Sequence, residues 1–320
     1  MKVLVVQNRM GIGDLFIFLP YIFGISKALN TPVSLLAQQN TRAKDLLKNN
    51  PHIKEVIILD RDDKKRLGRH HGVLGTLNLI QDLRKQKFDK SFTFNSSARY
   101  ALITKMAGII ERHQYPLFQK KNQNIIKTAN NFILKKLGQS ISNESEIYID
   151  EKKINEAKNK FNITSDNLHI VLGVGGSGPT KRVAAEKFIK FMDLISKVKN
   201  CIFYLAAGSN AVEQQIVDSI LNSIHKNNCI TLNKMDITET LPIIKNCNLA
   251  VCNDSSFSHI SAALGIKTIV LMTDTPLLYG SYSSRMTAIL PEGLKDVTHD
   301  TLGKDKINPE EIYIKAKKIL

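Results

Sequence analysis

The chain has no tryptophan, little cysteine and fewer acidic than basic residues, and each shortage narrows what it can be. Its four cysteines (Cys201, Cys229, Cys247 and Cys252) all lie in the C-terminal half and form no C-x-x-C pair. Cys247 and Cys252 sit in or beside apolar runs, so buried free thiols in a reducing cytoplasm are expected rather than disulfides or a metal site. Long hydrophobic runs are missing too. The most apolar stretch, residues 15–25, is too short to span a bilayer and is broken by Pro20. Met1-Lys2 leads at once into Val3-Leu4-Val5-Val6 and the charged turn at Arg9, which is not the pattern of a secretory signal. No zinc finger, RNP motif, basic zipper, Walker loop or G-x-S-x-G elbow is present.

What remains is the composition of a soluble globular protein, 320 residues with 43% apolar and 23% charged residues, enough for two domains. The net charge of +16 is uneven: residues 1–150 hold 24 Lys+Arg against 12 Asp+Glu. That half reads either as a solvated basic face or as the side that meets a polyanion. Residues 115–138 read as an amphipathic, basic helix, facing a membrane surface or simply solvent.

Apolar runs alternate with helical patterns along the whole chain. Residues 3–7, 32–36, 55–59 and 90–94 read as strands in the first half. Residues 169–172, 201–206, 249–252 and 268–272 read as strands in the second. Helical patterns between them imply parallel sheets covered on both faces. The expected fold is α/β, two Rossmann-like domains facing a cleft, residues 1–155 and 156–320. The last helix is expected to pack back on the N-terminal domain. Ligands of such sheets bind at the carboxyl ends of the strands.

Three stretches carry candidate chemistry. Gly11-Ile12-Gly13-Asp14 places a carboxylate at the start of a helix, as an ordinary first-turn acid or as a general base. Gly173-Val174-Gly175-Gly176-Ser177-Gly178 matches G-x-G-x-x-G after a strand. However, Pro179-Thr180-Lys181-Arg182 stands where a dinucleotide site would already have its helix. The next strand runs into Ala207-Gly208-Ser209 without the acid that holds a ribose. A diphosphate loop fits better, with free N–H groups and two cations. Asn253-Asp254-Ser255-Ser256 follows an apolar strand and leads into a helix at Ser258-His259, as a helix cap or as an anion site. The D-x-D at residues 60–62 lies among many cations and reads as a solvated loop rather than a metal site.

Together these pieces resemble the heptosyltransferase-type (family 9) glycosyltransferases, which have the GT-B architecture. The resemblance rests on G-I-G-D at 11–14 with Pro20 beyond it, F-D-K-S-F-T-F-N-S-S-A-R-Y at 88–100 and G-G-S-G-P-T-K-R at 175–182. It continues through A-G-S-N-A-V-E at 207–213 and C-N-D-S-S-F-S-H-I-S-A-A-L-G at 252–265.

The resemblance implies an inverting sugar transfer from a nucleotide-diphosphate sugar, heptose-like, to a lipopolysaccharide-core or other surface-glycan acceptor, with no cofactor and no metal. Asp14 would be the base. Lys181 would bind donor phosphate, and Asp254, Ser255, Ser256 and His259 the diphosphate and sugar. Glu213 would lie near the nucleoside. Gly175, Gly176, Ser177, Thr180, Arg182 and Gly208 complete the expected donor side. The expected acceptor side comprises Arg9, Gly11, Gly13, Asn95, Arg99, Lys64, Arg66 and His70. Partners would be the nucleotide sugar, an anionic glycolipid or glycan and the inner membrane surface, with no nucleic acid. The chain departs from the family's usual pattern with G-V-G-G at 173–176 in place of H-P-G, and with N-D-S-S in place of N-D-T-G. Both departures bear on the donor sugar more than on the reaction. A non-catalytic nucleotide-sugar binder of the same fold and a GT-B-type epimerase are the alternatives.

Overall fold

A strand that is apolar at every position must be covered on both faces, and Val3-Leu4-Val5-Val6 meets that condition in the computed structural model, where all four side chains are buried. The structure describes residues 1–320 except 63, 64, 66 and 118–123. The chain divides into two units, Met1–Tyr148 and Ile149–Leu320.

In the first unit the elements run β1 (Val3–Val6), α1 (Ile12–Ala28), β2 (Val33–Gln38), α2 (Ala43–Leu46), β3 (Ile53–Leu59), α3 (Gly72–Gln86), β4 (Lys90–Thr93), α4 (Ala98–Met106), β5 (Glu111–Gln114) and α5 (Ile125–Leu137). The sheet has the order β3-β2-β1-β4-β5, every pairing parallel. Leu79, Leu83, Tyr100 and Ile103 from α3 and α4 pack on Leu4, Val6 and Leu36. Helix α1 packs on α5 through an aromatic group that includes Phe18, Tyr21, Phe94, Tyr115 and Phe132.

Pro20 lies inside α1 and cannot donate to the carbonyl of Phe16. The hydroxyl of buried Ser145 donates to that carbonyl instead. Residues 139–148, polar in sequence, are thereby seated on α1: Asn143 accepts from the Tyr21 hydroxyl at 2.8 Å, and Ile141 fills the space beside Gly24.

In the second unit the order is α6 (Glu151–Lys160), β6 (Leu168–Gly173), α7 (Ala185–Ser196), β7 (Cys201–Ala206), α8 (Ala211–Leu221), β8 (Cys229–Thr231), α9 (Ile237–Lys245), β9 (Leu249–Asn253), α10 (Ser256–Ala263), β10 (Thr268–Leu271), β11 (Met286–Ile289) and α11 (Pro309–Ile319). The sheet reads β11-β10-β9-β6-β7-β8, again parallel throughout. Phe188, Phe191 and Met192 of α7 form its core with Ile170, Leu172, Phe203, Val251 and Ile269.

Two differences from the sequence reading are physical. Residues 151–160, on both sides of the expected boundary at 155, form α6, capped by the Asp150 carboxylate at the N–H of Lys152. The division accordingly falls at Tyr148, not at 155. Within the second unit α11 packs on α7, and its Ile312 and Ala316 join that unit's core.

Candidate functional site

In each sheet the chain reverses its winding between two central strands, and the gap that opens at their carboxyl ends is where ligands bind. In the second unit those strands are β6 and β9. Residues 174–183 follow β6, and Asp254-Ser255 follow β9. Asn253, fully buried at the end of β9, ties the two together. Its side-chain N–H donates to the carbonyl of Val174 at 2.8 Å, and its oxygen accepts from the N–H of Val183 at 3.4 Å. One amide thus pins the loop where it leaves the strand and where it returns. Helix α7 begins only at Ala185, after a 3-10 turn at Pro179–Lys181, so the G-x-G-x-x-G does not open a helix as a dinucleotide fingerprint would.

The loop's cations are held from the protein side. Lys181 Nζ donates to Asp254 Oδ2 at 2.7 Å, and the Thr275 hydroxyl donates to the same oxygen. Burial pushes the Asp254 carboxyl up. Lys181, His259 and the hydrogen bonds from Lys181 and Thr275 outweigh it, and hold the group below its ordinary value, ionised. Arg182 Nε donates to the carbonyl of Gly176 at 3.0 Å and lies 3.4 Å from Glu213 Oε1.

Glu213, buried in the first turn of α8, is a clamp between two loops. It accepts from the N–H of Gly176 at 3.2 Å and of Gly208 at 2.5 Å. Gly175 is required here, because a Cβ at that position would overlap the Glu213 carboxylate. Ser255 is the N-cap of α10 without making a cap hydrogen bond, and its buried hydroxyl has no partner among the described residues. Ser256 opens the helix, and Ser177 is exposed on the loop. Thr180 is bound from β10's exit: its carbonyl accepts from the Thr273 hydroxyl at 2.8 Å, and its own hydroxyl donates to Asp274.

The structure therefore gathers Gly175, Gly176, Ser177, Thr180, Lys181, Arg182, Gly208, Glu213, Asp254, Ser255, Ser256 and His259 at one end of the second sheet. Sequence reasoning missed Asn253, Thr273, Asp274, Thr275 and Tyr282, which hold them. Asn253 stood inside the quoted N-D-S-S motif. The other four carry no local signal, since their partners lie elsewhere in the chain.

In the first unit the corresponding strands are β1 and β4. Gly11, at φ 98°, is the N-cap of α1 and places Asp14 in its first turn. Gly13 lies within the helix. Arg9 Nε donates to Asp14 Oδ1 at 2.8 Å, the two side chains being 40% and 18% exposed, so the pair is reachable from solvent. Asn95 donates to Asn8 Oδ1 at 2.9 Å and accepts from the N–H of Ser97 at 2.6 Å.

Arg99 and His70 are linked to each other. Arg99 donates to the Thr76 hydroxyl at 3.0 Å and to the carbonyl of His70 at 2.6 Å, bracing α4 against α3. His70, expected on the acceptor side, is buried: Nδ1 accepts from the N–H of Asp60 at 3.0 Å and Nε2 lies 3.1 Å from Asp82. Both nitrogens serve the loop's own fold. Asp60 and Asp62 likewise accept from N–H groups of their own loop, those of Arg69 and Lys65. Lys64 and Arg66 lie outside the described residues. Among the described residues no helix is long and apolar enough to cross a membrane.

The model of glycosyltransferase family 9 (heptosyltransferase) matches residues 76–302. A lipopolysaccharide heptosyltransferase 1 of Campylobacter coli is 20% identical over 273 residues, 78% of each chain. Among solved structures, the E. coli ADP-heptose lps heptosyltransferase II superposes with a TM-score of 0.72 at 18% identity, covering 100% of this chain and 98% of that one. The family 9 glycosyl transferase of Veillonella parvula DSM 2008 gives 0.75 at 18% identity, covering 99% and 97%.

Proposed function

The chain belongs to glycosyltransferase family 9, and on that premise we propose that it transfers a heptose-like sugar from a nucleotide-diphosphate donor to a lipopolysaccharide-core acceptor, inverting the anomeric carbon. The observation that carries this reading is the Lys181–Asp254 pair at the β6/β9 switch point, beneath a glycine loop closed at both ends by Asn253. The names of the similar proteins, a lipopolysaccharide heptosyltransferase and an ADP-heptose heptosyltransferase, favour ADP-heptose as the donor.

In this scheme Asp14 takes the proton of the acceptor hydroxyl as its oxygen attacks the anomeric carbon. The C–O bond to the diphosphate breaks, and the electron pair leaves with the nucleotide. Arg9 orients the carboxylate through its bond to Oδ1 and leaves Oδ2 for the substrate. Charge grows on the departing diphosphate, where Lys181, loop N–H groups and the amino end of α10 act on it. No step calls on a metal or cofactor. The basic first half, +12 over residues 1–150, supports an anionic acceptor and a place at the cytoplasmic face of a membrane.

The test is a thermal-shift screen against ADP-, GDP- and UDP-sugars and NAD(H), with Lys181→Ala alongside. Stabilisation by ADP-sugars that is lost in the variant is expected. Stabilisation by NAD(H) alone would overturn the reading.

A further inference from the structure

Apolar side chains that the fold leaves in solvent gather at the amino end of α3. Val73 is 81%, Leu74 75% and Leu77 45% exposed, and Leu67, in the loop that leads into the helix, is 61% exposed. At 3.6 residues per turn, Val73, Leu74 and Leu77 fall within about 100° of arc. Buried Leu79, Ile80 and Leu83 occupy the adjoining arc, which packs on the first unit's core. The exposed arc runs on through Gln81 to Arg84 and Lys85, so its amino half is apolar and its carboxyl half basic.

Single exposed leucines are ordinary, whereas a cluster of them marks a surface that meets something. The helix start is also firmly built. Asn78 donates to the carbonyl of Arg69 at 3.0 Å, and Arg69 and His70 both reach Asp82. A Cβ at Gly75 would come within 2.2 Å of the carbonyl carbon of His70, so loop and helix are pressed together. A backbone held by these contacts presents its apolar side chains to water.

We propose that the amino end of α3 docks on an anionic lipid bilayer, with Leu67, Val73, Leu74 and Leu77 entering the boundary between headgroups and acyl chains and Arg84 and Lys85 meeting lipid phosphates. The docking stands apart from the transferase reading; its use, holding a lipid-linked acceptor at the Asp14 end of the sheet, rests on it.

Charge chooses the occupant. Residues 61–87 hold 8 Lys+Arg against 3 Asp+Glu. A two-fold contact with a second copy would bring these cations against their own kind. A bilayer with anionic lipid offers the leucines an apolar layer and the cations their phosphates. Leu77 and Arg84 are seven residues apart, about 10 Å along the helix axis. That spacing matches the ~5–10 Å to which interfacial helices sink. Helix α5, the basic amphipathic segment of the sequence, suits the task less. Its Ala129, Phe132 and Ile133 are buried, and of its large apolar side chains only Leu134 is exposed. Every pairing in the first sheet is parallel, so the loops after β1 and β3 leave the same end, and the start of α3 shares that end with Asp14.

The chain has no tryptophan, so Leu74→Trp gives the full-length protein a single indole reporter. Vesicles of mixed phosphatidylglycerol and phosphatidylcholine are expected to shift its emission to the blue, and phosphatidylcholine alone to leave it unchanged. Ile314→Trp, at an exposed position of α11, should not shift. In co-sedimentation with the mixed vesicles, the double variant Leu74→Asp/Leu77→Asp should bind at least about tenfold more weakly than wild type, at unchanged melting temperature. Added salt should weaken wild-type binding. No wild-type binding to the mixed vesicles would overturn the proposal. So would a shift at neither position or at both, or undiminished binding of the Asp variant. A concentration-dependent dimer abolished by the Asp substitutions, without vesicle binding, would assign the patch to a second copy and equally overturn it. The Asp variant should keep transfer to a delipidated acceptor and lose transfer to acceptor held in vesicles. Vesicle binding as expected, found together with no transfer from any nucleotide sugar, would sustain the docking and remove the transferase reading.

Discussion

Lys181 and Asp254, 73 positions apart in the chain, meet at 2.7 Å with the carboxylate 5% and the lysine 21% exposed. A nearly buried carboxylate whose main counter-charge is one lysine gives that lysine two tasks: it neutralises Asp254, and it is the cation offered to a diphosphate. Lys181→Ala is expected to remove donor binding and to destabilise the protein by about 3 kcal/mol near neutral pH, because a buried carboxylate loses its main counter-ion.

The pH dependence follows in sign. The folded Asp254 carboxyl lies below its ordinary value, so its contribution to stability is present above the unfolded value. It is lost as pH falls through the folded one. Without Lys181 burial dominates, and the group takes up its proton at higher pH. The stability gap between wild type and variant, measured by denaturation, should therefore narrow as the solution is acidified.

Asp14→Asn should leave the fold and donor-induced stabilisation unchanged and lower kcat by about 10²–10⁴, the usual worth of a general base. Arg9→Ala should lower kcat less, since it removes the orientation of the carboxylate but not the carboxylate itself. Steady-state kinetics with calorimetric donor titration separate the two effects.

Two neighbouring glycines give opposite predictions. At Gly175 a Cβ would overlap the Glu213 carboxylate that clamps the loops after β6 and β7, whereas at Gly178 the nearest atom would be the Thr180 hydroxyl at 4.0 Å. Gly175→Ala should cost about 1–3 kcal/mol and weaken donor binding, as overpacking does. Gly178→Ala should be tolerated in thermal denaturation. Equal effects would contradict the clamp.

The loop before α3 is tied down by Asp82, which accepts from Arg69 at 2.9 and 3.1 Å and faces His70 at 3.1 Å. The hydrogen bond from Arg69 is the chief cause that holds the Asp82 carboxyl down at about 2. Its contribution to local stability is present above pH ~4 and fades as pH falls toward 2. Asp82→Asn should speed hydrogen exchange in residues 67–71 near neutral pH. In the wild type the same acceleration should come only on acidification.

Much of this arrangement is legible in the sequence, and the exceptions have physical reasons. The central strands β1, β6 and β9 are buried on both faces and read as mostly apolar runs, and the loops that follow them advertise themselves through Gly11, Gly175 and Asp254. Strand β5, Glu111-Arg112-His113-Gln114, lies at a sheet edge and is polar throughout, so no apolar pattern marks it. Edge strands β8 and β11 are short and only partly buried. His70, in a charged loop, is expected on the acceptor side, whereas its ring is the inner anchor of that loop. Thr275 and Tyr282 were invisible because their partners, Asp254 and His259, lie 21 and 23 positions earlier, brought near by β10 and its exit.

Sugar transfer itself is tested most directly by incubating the protein with ADP-heptose and a lipopolysaccharide core lacking heptose, then weighing the acceptor by mass spectrometry. The expected result is one heptose added and one ADP released per turnover by wild type, and neither at a comparable rate by Asp14→Asn. An acceptor of unchanged mass with wild-type protein, across ADP-, GDP- and UDP-linked sugars, would contradict the account.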